Sequence, residues 1–141
     1  MINIQKIATL KSTFPSDNKE RIYAEIMAWG KNLPLFDETL KTDENRVLGC
    51  QSLMYLHAEE KMGRLFFSAD SDALISKGLA AILIYLYSGE EAVTILRSPP
   101  SFLEELGLLT SLSPGRSNGF ASLYQKMQKH ALDYLVYQTK A

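Results

Sequence analysis

Cysteine is nearly absent from this chain: its 141 residues contain one, Cys50. A lone cysteine excludes an internal disulfide and a four-cysteine metal site, so chemistry at its sulfur must be exchanged with a thiol on another molecule. Histidine is almost as scarce. His57 and His130 are the only two, and neither forms a local metal-ligand pair, which disfavours a zinc site. Charge of one sign is not in excess either. Fifteen basic and 16 acidic side chains leave a formal net charge of -1, with no bulk attraction to nucleic acid or to an anionic membrane. The longest apolar run, residues 79–87, falls far short of the roughly 20 residues that span a bilayer. Phosphate-binding glycine motifs are missing, and no serine has the context of a nucleophile elbow. The first ten residues carry Lys6 in a short amphipathic pattern and lack the apolar core and cleavage site of a secretion signal. A soluble, cytoplasmic protein is expected, in a compartment that keeps a free thiol reduced.

Hydrophobic residues make up 46% of the chain and charged ones 22%, enough apolar material for one globular domain over residues 1–141. A short helix is predicted over residues 4–10, interrupted at Phe14-Pro15-Ser16. In the next helix Asp17 and Glu20 suggest a capping box, Ile22, Tyr23, Ile26 and Met27 share a face, and Gly30 is placed to end it. After Leu33-Pro34-Leu35 the spacing turns strand-like. Extended pieces at 46–48, 53–57 and 64–69 predict two hairpins, the first turning at Gly49-Cys50 and the second at 59–63. Asp70-Ser71-Asp72 offers caps for a helix over 73–87 that is apolar nearly all round, the pattern of a buried central element. Gly78 inside it costs about 1 kcal/mol relative to alanine, which implies close packing of another backbone. A brief helix at 90–96 and a turn through 102–106 follow. Beyond Pro114-Gly115, the residues Phe120, Leu123, Tyr124, Met127, Ala131, Tyr134 and Leu135 recur at the spacing of a long amphipathic helix.

General burial tendencies make a single cysteine a small buried hydrophobe more often than a nucleophile. The neighbours of Cys50 reverse that preference: Gly49 permits unusual backbone angles, and Gln51 and Ser52 are ill suited to a strand interior. A thiol on a loop tip or in a shallow pocket is expected. Arg46 and Arg116 are candidate cations for raising its thiolate fraction, with Arg46 read first as a solvated strand residue. His57 reaches Cys50 only if the fold bends it back, and His130 borders the apolar stripe of the last helix as a structural residue. Glu59-Glu60 has the composition of a solvated turn, and Tyr85 and Tyr87 read as core.

The run Gly49-Cys50-Gln51-Ser52 resembles the SufE family of sulfur-acceptor proteins, partners of cysteine desulfurases in iron-sulfur cluster assembly. The resemblance extends through Gly30 with Leu33-Pro34-Leu35, Ala69-Asp70-Ser71-Asp72-Ala73, Gly78-Leu79, Leu106-Gly107-Leu108 and the segment from Leu112-Ser113-Pro114 through Gly115-Arg116-Ser117-Asn118-Gly119. Two departures stand out: Leu53-Met54-Tyr55 replaces a Gln-Val-Trp type of sequence after the cysteine, and Gly115 takes a place usually held by serine.

The resemblance implies an α+β fold, a small antiparallel three-stranded sheet packed against helices, similar to scaffold proteins of the IscU type. It implies that Cys50 takes sulfur from a SufS-type cysteine desulfurase, carries it as a persulfide, stimulates the donor and delivers the sulfur to a SufB-containing scaffold. The chain would then be a covalent carrier and activator and not itself an enzyme, with no metal and no cofactor of its own; pyridoxal phosphate belongs to the desulfurase. Asp72 would hold the helix start behind the cysteine loop and raise the thiol's pKa. Arg116, Asn118 and Gly119 would lie toward the partner surface, and Leu53, Tyr55 and the Gly78 side of the buried helix would wall the thiol's recess. A homodimer stays open. So does the alternative of a noncovalent adaptor that regulates a desulfurase without taking sulfur.

Overall fold

A computed structural model describes residues 2–14, 18–101, 103 and 112–140. Helix α1, Ile4–Thr13, starts at Asn3, whose side chain accepts the Gln5 amide at 2.8 Å, and it buries Leu10. Helix α2, Lys19–Lys31, is capped by Asn18, which accepts from the Arg21 amide at 3.2 Å. The expected cap Asp17 and the Pro15-Ser16 break lie outside the described residues. Gly30 belongs to the last turn of α2 and does not end it; Asn32 follows as the C-cap.

Strand β1, Met54–Lys61, and strand β2, Arg64–Ser71, form one antiparallel hairpin. Its turn sits at Met62-Gly63, both with positive φ. Alternation sends Met54 and Leu56 of β1 and Leu65, Phe67 and Ala69 of β2 into the core. The sheet has the expected three antiparallel strands, but the third is β3, Glu90–Glu91, paired with Arg64 and Leu65. Residues 46–48 do not form a strand: Arg46 makes an isolated bridge with Tyr55. The Val47 amide reaches the Met54 carbonyl at 2.8 Å, and then Gly49, at φ 93°, bends the chain away before a ladder can extend. Cys50 therefore sits in a loop feeding β1 and not between two paired strands.

Helix α3, Leu74–Tyr87, is buried along most of its length and lies at the centre of the core. It runs with almost no gap against α2. A Cβ on Gly78 would fall 1.9 Å from the Ile26 carbonyl oxygen, and one on Gly30 would fall 2.8 Å from the Gly78 nitrogen. Two glycines thus bring backbone onto backbone. Contrary to the sequence expectation, no side chain caps α3. Ser71 Oγ accepts from the Ala73 amide, Asp70 pairs with Lys41 at 3.1 Å and Lys77 at 3.5 Å, and Asp72 is engaged elsewhere.

The helix expected at 90–96 is split between β3 and a short helix α4, Ala92–Arg97. The turn expected through 102–106, and Leu106-Gly107-Leu108, fall outside the described residues except for buried Leu103. Helix α5, Pro114–Lys140, closes the core with Phe120, Leu123, Tyr124, Met127 and Ala131. Tyr124 donates to the Ile95 carbonyl at 2.8 Å and Tyr87 to the Ser98 carbonyl, tying α5 and α3 to the α4 region. Among the described residues no helix is long and apolar enough to cross a membrane.

Candidate functional site

The loop from Val47 to Leu53 is pinned at both ends. Val47 is buried and hydrogen-bonded to Met54, while the Leu53 amide donates to Asp72 Oδ1 at 3.0 Å and the Asp72 amide returns to the Leu53 carbonyl at 3.3 Å. Leu53 and Asp72 thus extend the β1–β2 pairing by one step. Gly49 is required twice over: its φ is positive, and a Cβ there would meet Ser122 Oγ of α5 at 2.4 Å.

These restraints leave Cys50 half-buried, its Sγ donating to the Gly119 carbonyl at 3.6 Å. An added Cβ on Gly119 would lie 3.3 Å from that sulfur, so the bare helix face makes room for it. Burial pushes the Cys50 thiol above its ordinary pKa, because the thiolate loses hydration there. The expected contribution of Asp72 is not among the causes. Its carboxylate holds Leu53, and it does not line the thiol's cavity.

That cavity has a volume of about 160 Å³. The loop supplies Cys50, Gln51 and Ser52; β1 supplies Met54; α3 and its cap supply Ala73, Ser76 and Leu79. From α5 come Gly115, Arg116, Gly119, Phe120 and Leu123. The starts of two helices, α3 and α5, therefore open onto one recess, where helix dipoles favour negative charge. The Arg116 guanidinium lies 5.5 Å from the Tyr23 ring centroid, and the Arg116 amide donates to Ser113 Oγ at 3.4 Å. The space beside Gly115 is filled by the Gln51 amide, 2.2 Å from where a Cβ would be.

Of the residues expected at the site, Cys50, Gln51, Ser52, Arg116 and Gly119 come together here, with Gly49 behind them against α5. Asn118 is exposed and does not line the cavity. Arg46 lies on a different depression with Leu48 and Lys126. The walls expected from Leu53 and Tyr55 are corrected to Met54 and Leu79. A one-residue offset in a strand exchanges its faces, and Leu53 and Tyr55 line a separate shallow pocket with Asp72. Gly78 is spent on the contact with α2. His57 approaches Glu59 at 3.8 Å and does not border the cavity. His130 stacks obliquely near Phe67; its Nε2 is buried with no partner among the described residues, and burial holds it below the usual histidine pKa. Ser76 was not singled out, although a serine interrupting the apolar run of α3 was a legible signal. Among the described residues no three histidine, cysteine or acidic side chains gather as metal ligands.

An α+β fold that shields one thiol between a hairpin and two helix starts defines a class of single-cysteine proteins. The chain belongs to the SufE family: the family model described as an Fe-S metabolism associated domain matches residues 8–131. It is similar to SufE-like protein 1, chloroplastic/mitochondrial, of Arabidopsis thaliana, at 44% identity over 78% of this chain, which spans 30% of the plant protein's length. The sulfur acceptor protein CsdE of Escherichia coli is 33% identical, with 82% of this chain and 80% of that protein covered. The cysteine desulfuration protein SufE of Wigglesworthia glossinidia brevipalpis is 30% identical, with 94% of each covered. A solution structure of a hypothetical protein from Thermus thermophilus shares the fold, with a TM-score of 0.78 at 20% identity, covering 96% of this chain and 99% of that one.

Proposed function

We propose that this chain is a covalent sulfur carrier that receives a sulfur atom on Cys50 from a SufS-type cysteine desulfurase and passes it to a SufB-containing scaffold for iron-sulfur cluster assembly. The supporting observation is the sole thiol, half-buried in a cavity lined by two helix starts. The Cys50 thiolate attacks the outer sulfur of the donor's persulfide. One S–S bond forms on Cys50, the donor's S–S bond breaks, and the electron pair leaves with the donor thiolate. The proton lost by Cys50 equals the one the donor cysteine regains. Delivery repeats the step in reverse order, with a recipient thiolate attacking the carried sulfur. The chain turns over sulfur without a cofactor of its own, and it stimulates the donor by removing its product. Site residues by this reading are Cys50 as acceptor, Gly49, Gln51 and Ser52 as its loop, Asp72 as the loop's anchor, and Arg116, Asn118 and Gly119 beside the partner-facing mouth.

Mixing the chain with an active desulfurase and cysteine, without reductant, tests this by intact mass. One added sulfur on the native chain and none on Cys50→Ser is the expected result. Unmodified native chain that still binds and stimulates the desulfurase, with stimulation retained in Cys50→Ser, makes it a noncovalent adaptor instead.

A further inference from the structure

The cysteine loop lies along α5 in a fixed register. Gly49 faces Ser122, Cys50 packs on Gly119, and the Gln51 side chain occupies the place of a Gly115 Cβ. Positions 115, 119 and 122 recur at four and three residues, so successive loop residues step back along one face of the helix. At Gly115 the fit is close: Cδ, Oε1 and Nε2 of Gln51 all lie within 2.5 Å of the Cβ that glycine lacks. The backbone does not ask for glycine there, since Gly115 is not among the residues with positive φ. The bare position is explained by what fills it.

This contact crosses the mouth of the recess. Met54, Leu79, Phe120 and Leu123 are buried and form its floor, whereas Gln51 is exposed and Gly115 and Arg116 are half-buried at its edge. Gln51 springs from the loop and ends on the opposite wall, α5. The other polar side chains at the mouth are engaged elsewhere. Arg116 turns its guanidinium to the Tyr23 ring on α2, 5.5 Å from the centroid, and Ser52 Oγ lies 2.9 Å from Ser76 Oγ and 3.3 Å from Ser71 Oγ. The seat on Gly115 is one helical turn, about 6 Å, from the seat of the sulfur on Gly119. An interior of about 160 Å³ has room for small groups, so selection by size falls to the mouth.

We propose that Gln51, seated on Gly115, closes the recess by its bulk and selects by size what reaches Cys50, admitting slender thiol-reactive groups and holding back bulky soluble thiols. Gly115 is the positioning residue, because a side chain there would unseat the amide. The proposal deepens the sulfur-carrier reading and rests on it for its purpose, which is to keep carried sulfur from the wrong acceptor. Its test needs no desulfurase.

Alkylation of Cys50 is timed with iodoacetamide and with an uncharged iodoacetamide bearing a naphthalene group on its nitrogen, in the folded chain and in denaturant. The folded rates are divided by the denatured ones, and the ratio of bulky to small reagent is then taken, which cancels the thiolate fraction. If Gln51 is off its seat in about 10% of molecules, the native ratio is about 0.1 and Gln51→Ala raises it about tenfold. Gly115→Ala should raise it in the same direction, and the double variant no further than Gln51→Ala, because both remove one contact. Gln51→Met, of similar length, should keep the native ratio. A native ratio near one, or an unchanged ratio in Gln51→Ala or Gly115→Ala, overturns the proposal. So do effects that multiply in the double variant, a methionine variant that behaves like alanine, and an equal gain for both reagents, which marks a loosened loop. An equal rise of the ratio in Arg116→Ala overturns the assignment to Gln51. A failed sulfur transfer leaves these ratios intact and unchanged ratios leave the transfer intact, so the two readings fail separately.

Discussion

At the scale of single residues, the environment of Cys50 sets the direction of its chemistry. Burial raises its pKa in the folded chain, so alkylation of the native thiol should reach half-maximal rate at a higher pH than alkylation of the chain in denaturant. The folded state holds this proton more tightly than the unfolded state does. The associated stability is intact below the ordinary thiol pKa of about 8.5 and is lost as pH rises through the folded value. Asp72→Asn should leave the thiol titration unmoved, because the carboxylate sits on the Leu53 amide and burial alone raises the pKa; a lowered midpoint in that variant would restore the carboxylate as a cause. His130 has the opposite dependence. Its depressed folded pKa means that its share of stability is present above about pH 6.5 and is lost as pH falls toward the folded value. His57, Lys126 and Lys129 add to the depression and Asp133 opposes it. Urea midpoints compared between pH 7.5 and 5.5 should fall less for His130→Phe than for the native chain. Cys50 and its glycine were legible in the sequence because their chemistry is local. The wall residues were not, since choosing Met54 over Leu53 requires the strand register, which the alternation of Met54, Tyr55 and Leu56 leaves ambiguous.

At the scale of elements, the α2–α3 contact is where the sequence spoke plainly through Gly78, and its partner Gly30 was misread as a helix end. A glycine near the end of an amphipathic pattern signals termination and close approach equally well; only the crossing distinguishes them. Gly78→Ala gains about 1 kcal/mol of helix propensity yet must displace the Ile26 backbone, and overpacking of that kind costs about 3 kcal/mol, a net loss of about 2 kcal/mol. Chemical denaturation would measure it, and an unchanged midpoint would mean the helices slide apart freely. Strand β3 escaped the sequence reading because two residues, Glu90–Glu91, carry no periodicity of their own. Conversely, the segment 46–48 begins as a strand would, with Arg46 bridging Tyr55, but the turn at Leu48-Gly49 confines its pairing to that single bridge.

At the scale of the whole molecule, stability is distributed unevenly. Helix α3 is enclosed by α2, the hairpin and α5, so its amides should exchange with solvent most slowly. Amides of Gly49 to Ser52 belong to no ladder or helix and should exchange fastest among the core-facing segments, with Leu53 slower because Asp72 accepts from it. Uniform protection across both would contradict this gradient. The glycine seam between α2 and α3 also has a mechanical meaning. Two helices touching through their backbones have no rotamers to exchange, so that pair behaves as a fixed anvil. The recess over Cys50 has this anvil on one side and, on the other, the loop and the start of α5, joined by lighter contacts. Any widening of the recess must come from the loop and α5, and variation that tunes how readily it widens should accumulate there, leaving Gly30 and Gly78 untouched.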